Sequence, residues 1–256
     1  MELKRNTLRA ANALVSMVTI LALLLCGAYA AYALWDNNQV YQQAEDVQIQ
    51  MLELKPEITE DGGASFEELL AINPDVCAWL TVDNTAIDYP ILQGATNNTY
   101  INTDVYGNFA LAGSIFLDSR NDRTFSEPYN LLYGHHMADS RMFGDLDLFK
   151  EEAFFEDNKT GTLILPDRAF DLEIFSCLII GASEDAIFDP TLWQEDIEGL
   201  LQYAKENALY LDESAVSRIE AAPGDVQILA MSTCSTEFTD ARTIVLAEMK
   251  PHQSAE

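Results

Sequence analysis

The chain has 256 residues, 48% of them hydrophobic, and a formal net charge of −28. With an apolar N-terminal segment set aside, about 200 residues remain, enough for one domain with a real core, and the hydrophobic share excludes wholesale disorder. The excess of 42 acidic over 14 basic residues excludes a nucleic-acid partner, because phosphates would be repelled; it gives a strongly solvated surface, attractive to basic partners.

Ala10 to Leu34 carries no charge and exceeds the roughly 20 residues a helix needs to cross a bilayer. Tyr32 and Trp35 sit where an interface would fall, and Lys4, Arg5 and Arg9 precede the run while Asp36, Glu45 and Asp46 follow it. The positive-inside rule then puts the N-terminus in the cytoplasm and the rest outside, as a single-pass protein of the cell membrane. A cleaved signal peptide is the competing reading, with small residues from Ala28 to Ala33 as cleavage sites, but its apolar region is usually shorter, so a retained anchor is expected.

Asn38 to Leu54 reads as a helix, broken by Pro56 to Gly63. Ser65-Phe66-Glu67-Glu68 has capping-box spacing before Leu69, Leu70 and Ile72, so a short helix is expected there, ended by Asn73-Pro74-Asp75. Strand-like runs follow at Val76–Val82, Gly113–Leu117, Tyr129–Tyr133, Gly161–Leu165 and Leu172–Ile180, interrupted by helical stretches at Met142–Phe149 and Leu192–Ala208. Many short strands with a few helices predict a mostly β domain closed into a barrel. Asp225 to Thr233 is a strand ending at Cys234, and Arg242 to Met249 is another; paired as an antiparallel hairpin, they bring Cys234 opposite Arg242.

A cysteine nucleophile needs a base or cation to support the thiolate, a donor for the developing oxyanion, and partial exposure. Of four cysteines, Cys26 lies in the apolar run, and Cys77 and Cys177 have the apolar, strand-like surroundings of buried thiols; two such thiols outside the cytoplasm can pair, which spacing does not decide. Of three histidines, His252 lies in a polar tail, while His135 and His136 follow Tyr133-Gly134 at the end of an apolar strand, where a glycine allows close approach of a ligand. Taken singly, Cys234 reads as a structural thiol, His135 and His136 as a loop pair, and Arg242 as half of a surface ion pair. No cysteine spacing suits zinc, and adjacent histidines make a poor metal site.

Taken together, the residues resemble a family. Leu132-Tyr133-Gly134-His135-His136-Met137, with Met142-Phe143 and Leu146, resembles the histidine motif of class B sortases. Met231-Ser232-Thr233-Cys234, followed eight residues later by Arg242, resembles their TLxTC segment and arginine, with Met231 in place of the leucine. Asp88-Tyr89-Pro90-Ile91 with Gln93, Asn97-Asn98-Thr99-Tyr100, and Gly113-Ser114-Ile115-Phe116-Leu117-Asp118 follow the family order. Ser235 departs from the acidic residue that some class B enzymes carry there, and Glu184 to Trp193 has no residue-by-residue match.

The resemblance implies a closed sortase-type β-barrel preceded by N-terminal helices and one transmembrane helix. It implies a cytoplasmic tail over 1–9, a signal anchor over 10–35, a helical linker over 36–64, a catalytic domain over 65–250 and a tail over 251–256. The implied activity is cysteine transpeptidation with no metal or organic cofactor. Cys234 would attack a threonine carbonyl in the C-terminal sorting signal of a secreted protein, His135 would move protons, and Arg242 would hold the oxyanion or substrate backbone. Asn97, Ile101, Ser232 and Thr233 would contact substrate. An amine of a peptidoglycan precursor or a pilin would resolve the thioester. A peptidase using the same residues with water as acceptor, and an inactive membrane-tethered binding module, are the alternatives.

Overall fold

The computed structural model describes residues 2–58, 64–222, 224, 226–234 and 241–252, the side chains of 2–4 and 234 excepted. The chain divides into two compact units, Met1–Gln43 and Ala44–Glu256. A helix, α1, spans Glu2–Leu52. Within the first unit its apolar residues are exposed, Leu14, Ile20, Leu24 and Leu34 among them, and among the described residues it is the one helix long and apolar enough to cross a membrane.

In the second unit the last turns of α1 bury Met51, with Val47 and Leu54 packed beside it. The short helix α2, Glu67–Ile72, follows. Its N-cap is Phe66 and no side chain caps it: Ser65 falls one position too early, so the expected capping box does not form. The strands are β1 (Val76–Val82), β2 (Asp88–Leu92), β3 (Phe116–Leu117), β4 (Tyr129–Tyr133), the small pair β5 (His136–Met137) and β6 (Arg141–Met142), β7 (Thr160–Ile164), β8 (Ala169–Gly181), β9 (Ala208–Leu211), β10 (Gln227–Cys234) and β11 (Ala241–Pro251). Helices α3 (Glu152–Asp157), α4 (Asp185–Phe188), α5 (Ile197–Asn207) and α6 (Glu213–Ala221) intervene.

The sheet runs β11-β10-β4-β3-β2-β1-β7-β8-β9, and a further pairing of β11 with β8 closes eight of these strands into a barrel, with β9 outside the ring. Pairs β2–β3 and β4–β10 are parallel and the rest antiparallel. A closed barrel leaves no edge strand within the ring. Helices α5 and α6 cover one outer face: Leu200, Leu201, Val216 and Ile219 pack with Ile228 and Ala230 of β10 and Ile244 and Leu246 of β11. The alternate residues Leu229, Met231 and Val245 turn to the other face and are also fully buried. Strands buried on both faces read as continuous apolar runs, which is why Ile228 to Met231 shows no polar alternation.

Two sequence expectations shift. The stretch read as a helix from Met142 is a 3₁₀ helix over Gly144–Lys150. The stretch from Leu192 divides into a 3₁₀ turn, Pro190–Trp193, and α5, because Asp196 accepts a hydrogen bond from Gly199 N and starts a new helix. Cys77 and Cys177, on β1 and β8, are both buried and form no disulfide. Burial pushes the Cys77 thiol up to about 12, as suits an inert core residue.

Candidate active site

Strand direction brings three chain segments to one end of the barrel. Parallel β4 and β10 end together: Tyr133 is in register with Ser232, and Gly134 N donates to Ser232 O at 3.1 Å. His135 therefore leaves β4 beside the end of β10, which closes at Cys234. Antiparallel β11 begins at that same end, and its register sets Arg242 opposite Cys234. The expected hairpin thus forms; the Cys234 side chain, Ser235 and the rest of the turn lie outside the described residues.

A cleft of about 430 Å³ opens at this end, and Asn97, Ile101, His135, Ser232, Thr233 and Arg242 all line it. Every site residue expected from sequence with a described side chain therefore reaches one cavity. His136 does not line it. Its Nε2 lies 3.0 Å from Asp147 Oδ2, and Asp147 also pairs with Lys150 Nζ at 2.9 Å and accepts from Thr243 Oγ1 at 3.0 Å. His136 is thus part of a polar cluster that ties the 3₁₀ helix to β11.

The ring of His135 is oriented by the main chain: Nε2 lies 2.8 Å from Ile101 O. A carbonyl oxygen only accepts, so Nε2 carries the proton and Nδ1 is the nitrogen left to exchange one. The backbone of His135 is fixed too, because Phe143 N donates to its carbonyl at 3.0 Å. Gly134 lines the cleft and has a packing reason as well: a Cβ there would lie 2.7 Å from the Phe143 ring. Gly113, at φ +59°, underlies the other partner, since a Cβ would meet Ile101 O at 2.3 Å.

Arg242 is half-buried, and its Nη1 donates to Ala241 O at 2.9 Å. Among the described residues no carboxylate pairs with it, and it lines the cleft. Ser232 and Thr233 are each 2% exposed, and among the described residues Thr233 Oγ1 has no hydrogen-bond partner. A buried hydroxyl without a partner is costly unless something satisfies it, and its position in the lining suits a hydrogen bond to a bound backbone. Asn97 is held by Ser119 N donating to Oδ1 at 2.7 Å and by its own Nδ2 donating to Asp118 Oδ2 at 2.9 Å. One amide N–H remains for a ligand.

The sequence reading missed the aromatic wall. Phe116, Tyr133 and Phe188 line the cleft, with Tyr133 5.3 Å from Phe116 and stacked on Phe188 at 6.3 Å between centroids. Phe116 and Tyr133 had been read only as motif residues, and Phe188 falls in the unmatched stretch. Burial beside the Asp118 carboxylate pushes the Tyr133 hydroxyl well above its usual range, so it stays a neutral donor. Among the described residues no three His, Cys, Asp or Glu side chains group as a metal site requires. The cleft thus offers an imidazole, a guanidinium, a buried hydroxyl and an apolar wall, which suits acyl chemistry on an extended peptide.

No family model matches the chain. It is 34% identical over 174 residues to sortase B of Listeria monocytogenes, spanning 67% of this chain and 68% of that protein. Its structure resembles that of a Streptococcus pyogenes class B sortase involved in pilus biogenesis, with a TM-score of 0.66 and 37% identity over 73% of this chain and 98% of the other. It also resembles a Staphylococcus aureus sortase B–substrate complex, with a TM-score of 0.65 and 25% identity over 85% of this chain and 97% of the other. The identity, the barrel and the position of the cleft lead to one conclusion: the chain belongs to the class B sortases, a family of cysteine transpeptidases.

Proposed function

We propose that this sortase cleaves a C-terminal sorting signal after threonine and transfers the acyl group to an amine of a peptidoglycan precursor or a pilin. The observation that carries the reading is the shared cleft: His135 and Arg242 line it together, and the strand register sets the Cys234 backbone opposite Arg242. The Cys234 thiolate attacks the threonine carbonyl, and the oxyanion is held by the Arg242 guanidinium. As the tetrahedral adduct collapses, the C–N bond breaks and protonated His135 gives its proton to the leaving amine through Nδ1. The incoming amine attacks the thioester, His135 takes its proton, and the C–S bond breaks to release Cys234. A guanidinium stays protonated in proteins, so Arg242 cannot act as a base; it serves as a fixed cation and donor.

Thr233, Ser232, Asn97 and Ile101 contact the signal, the last two from the loop side. The α1 segment from Ala10 to Leu34 anchors the protein, with its N-terminus in the cytoplasm and the catalytic unit outside. The likeness to a pilus-biogenesis sortase supports a pilin lysine as an acceptor beside a precursor amine.

The test is ligation by the purified chain. A threonine-containing sorting peptide should give a thioester on Cys234 visible by mass spectrometry, then an amide when a peptidoglycan-type amine or a pilin-lysine peptide is added. Cys234→Ala should abolish both steps while the Tm stays close to wild type. Hydrolysis alone, unaffected by either amine, would establish a peptidase instead.

A further inference from the structure

Behind the cleft lies an ionic cluster that touches both of its sides. The Asp118 side chain has no exposure. It receives Arg120 Nε and N at Oδ1, each at 2.9 Å, and Arg120 Nη2 at Oδ2 at 2.8 Å. Oδ2 also accepts from Asn97 Nδ2 at 2.9 Å and Tyr133 OH at 3.0 Å. These donors outweigh the cost of burial and hold the carboxyl below its usual range. Five donors on one carboxylate leave it no capacity for substrate. It is an anchor, and two of its partners, Asn97 and Tyr133, line the cleft.

The same guanidinium also reaches the segment that carries Phe188, the ring stacked on Tyr133. Arg120 Nη2 donates to Phe188 O at 2.5 Å, and Nη1 lies 3.3 Å from Asp189 Oδ1. Asp189 in turn caps the 3₁₀ turn, accepting from Thr191 N at 3.2 Å and Thr191 Oγ1 at 2.7 Å. The far side of this segment is held separately, by buried Ile187 and by Tyr129 OH donating to Ile187 O at 3.0 Å. Among the described residues, Arg120 supplies polar bonds to both Phe188 and Asp189 at the start of the segment.

We infer that Arg120, seated on Asp118, is a positioning residue that tethers the Phe188–Trp193 segment and so sets the width of the substrate cleft. The planar fork is what makes this workable. One edge pairs with a carboxylate while the remaining N–H groups reach a carbonyl and a second carboxylate, which a lysine ammonium cannot do in one plane. The tether keeps Phe188 stacked on Tyr133, so its loss widens the groove without touching His135, Cys234 or Arg242.

The inference rests on the transpeptidase reading for its kinetic limb, and its test separates the two. In Arg120→Ala, KM for the threonine peptide should rise about tenfold while kcat stays within about threefold, the pattern of lost uniform binding. Amide exchange at Phe188 to Trp193 should quicken with no substrate present. Arg120→Lys should restore Tm by compensating Asp118 yet leave KM raised. Unchanged exchange in Arg120→Ala overturns the tether whether or not ligation is seen, as does a lysine variant with wild-type KM. Quickened exchange in a protein that ligates nothing supports the tether and removes the transpeptidase reading.

Discussion

On one side of the cleft, His135, Ser232, Thr233 and Arg242 stand on or directly after β4, β10 and β11, strands paired along their length and buried on both faces. On the other, Asn97, Ile101 and Ala182 stand on connections, and Phe188 ends the four-residue helix α4. There, bonds between distant residues do much of the placing: Ile101 to His135, 34 positions apart, and Arg120 to Phe188, 68 apart. A strand register is held by many bonds at once, so one substitution rarely moves it. A loop held by one or two bonds moves when either is lost. Changes on the strand side should therefore remove chemistry outright, and changes on the loop side should act by displacement.

The sharpest break within the strand side is between neighbouring histidines. His135→Ala should lower turnover by about 1000-fold or more, within the range for a lost general acid–base. His136→Ala should stay within about threefold, because it gives up only a partly exposed polar contact with Asp147 worth at most about 1 kcal/mol. Steady-state ligation by the two variants checks this, and equal losses would mean that lining the cleft does not select the acting ring.

Arg242→Lys comes next. Lysine keeps the charge and loses the fork. If directed hydrogen bonds to the oxyanion are the role, turnover should fall about 100- to 1000-fold, the usual cost of one oxyanion donor. Near-normal ligation would leave only charge stabilisation of the thiolate.

The same contrast governs what could be read before the structure. The barrel and the convergence of His135 with Arg242 were legible, because apolar runs ending at Tyr133 and Cys234 carry strand type and length, and motif order carries topology. The strand β2 went unmarked because Pro90 sits within it, a residue that argues against a strand. Strand β9 is an apolar run of only four residues, too short to separate from the preceding helix, and the buried face of α6 is carried by just Ala215, Val216 and Ile219. Phe188 and Arg120 could not have been placed, since no local pattern pairs a guanidinium with a carbonyl 68 residues away. The sole signal was Phe188 itself, an aromatic residue among acidic and small neighbours.

The smallest expected effect tests displacement most directly. Gly113 and Gly107 both have positive φ, +59° and +81°, so alanine at either should cost about 1–2 kcal/mol of backbone strain. Their surroundings differ. A Cβ at Gly107 meets nothing within 4 Å, whereas one at Gly113 would lie 2.3 Å from Ile101 O and 2.6 Å from Tyr100 O. Those are backbone atoms, and Ile101 O is the acceptor that orients His135. In Gly113→Ala the 100–101 backbone must give way and the imidazole loses its fixed orientation. The expected result is a fall in kcat of about tenfold, modest beside the cost of about 100-fold that a 1 Å misplacement can carry. Gly107→Ala, with strain but no clash, should show a smaller drop in Tm with kcat kept. Matching losses of kcat in the two variants would assign the effect to strain alone and leave Ile101 as a contact rather than the support of the acting ring.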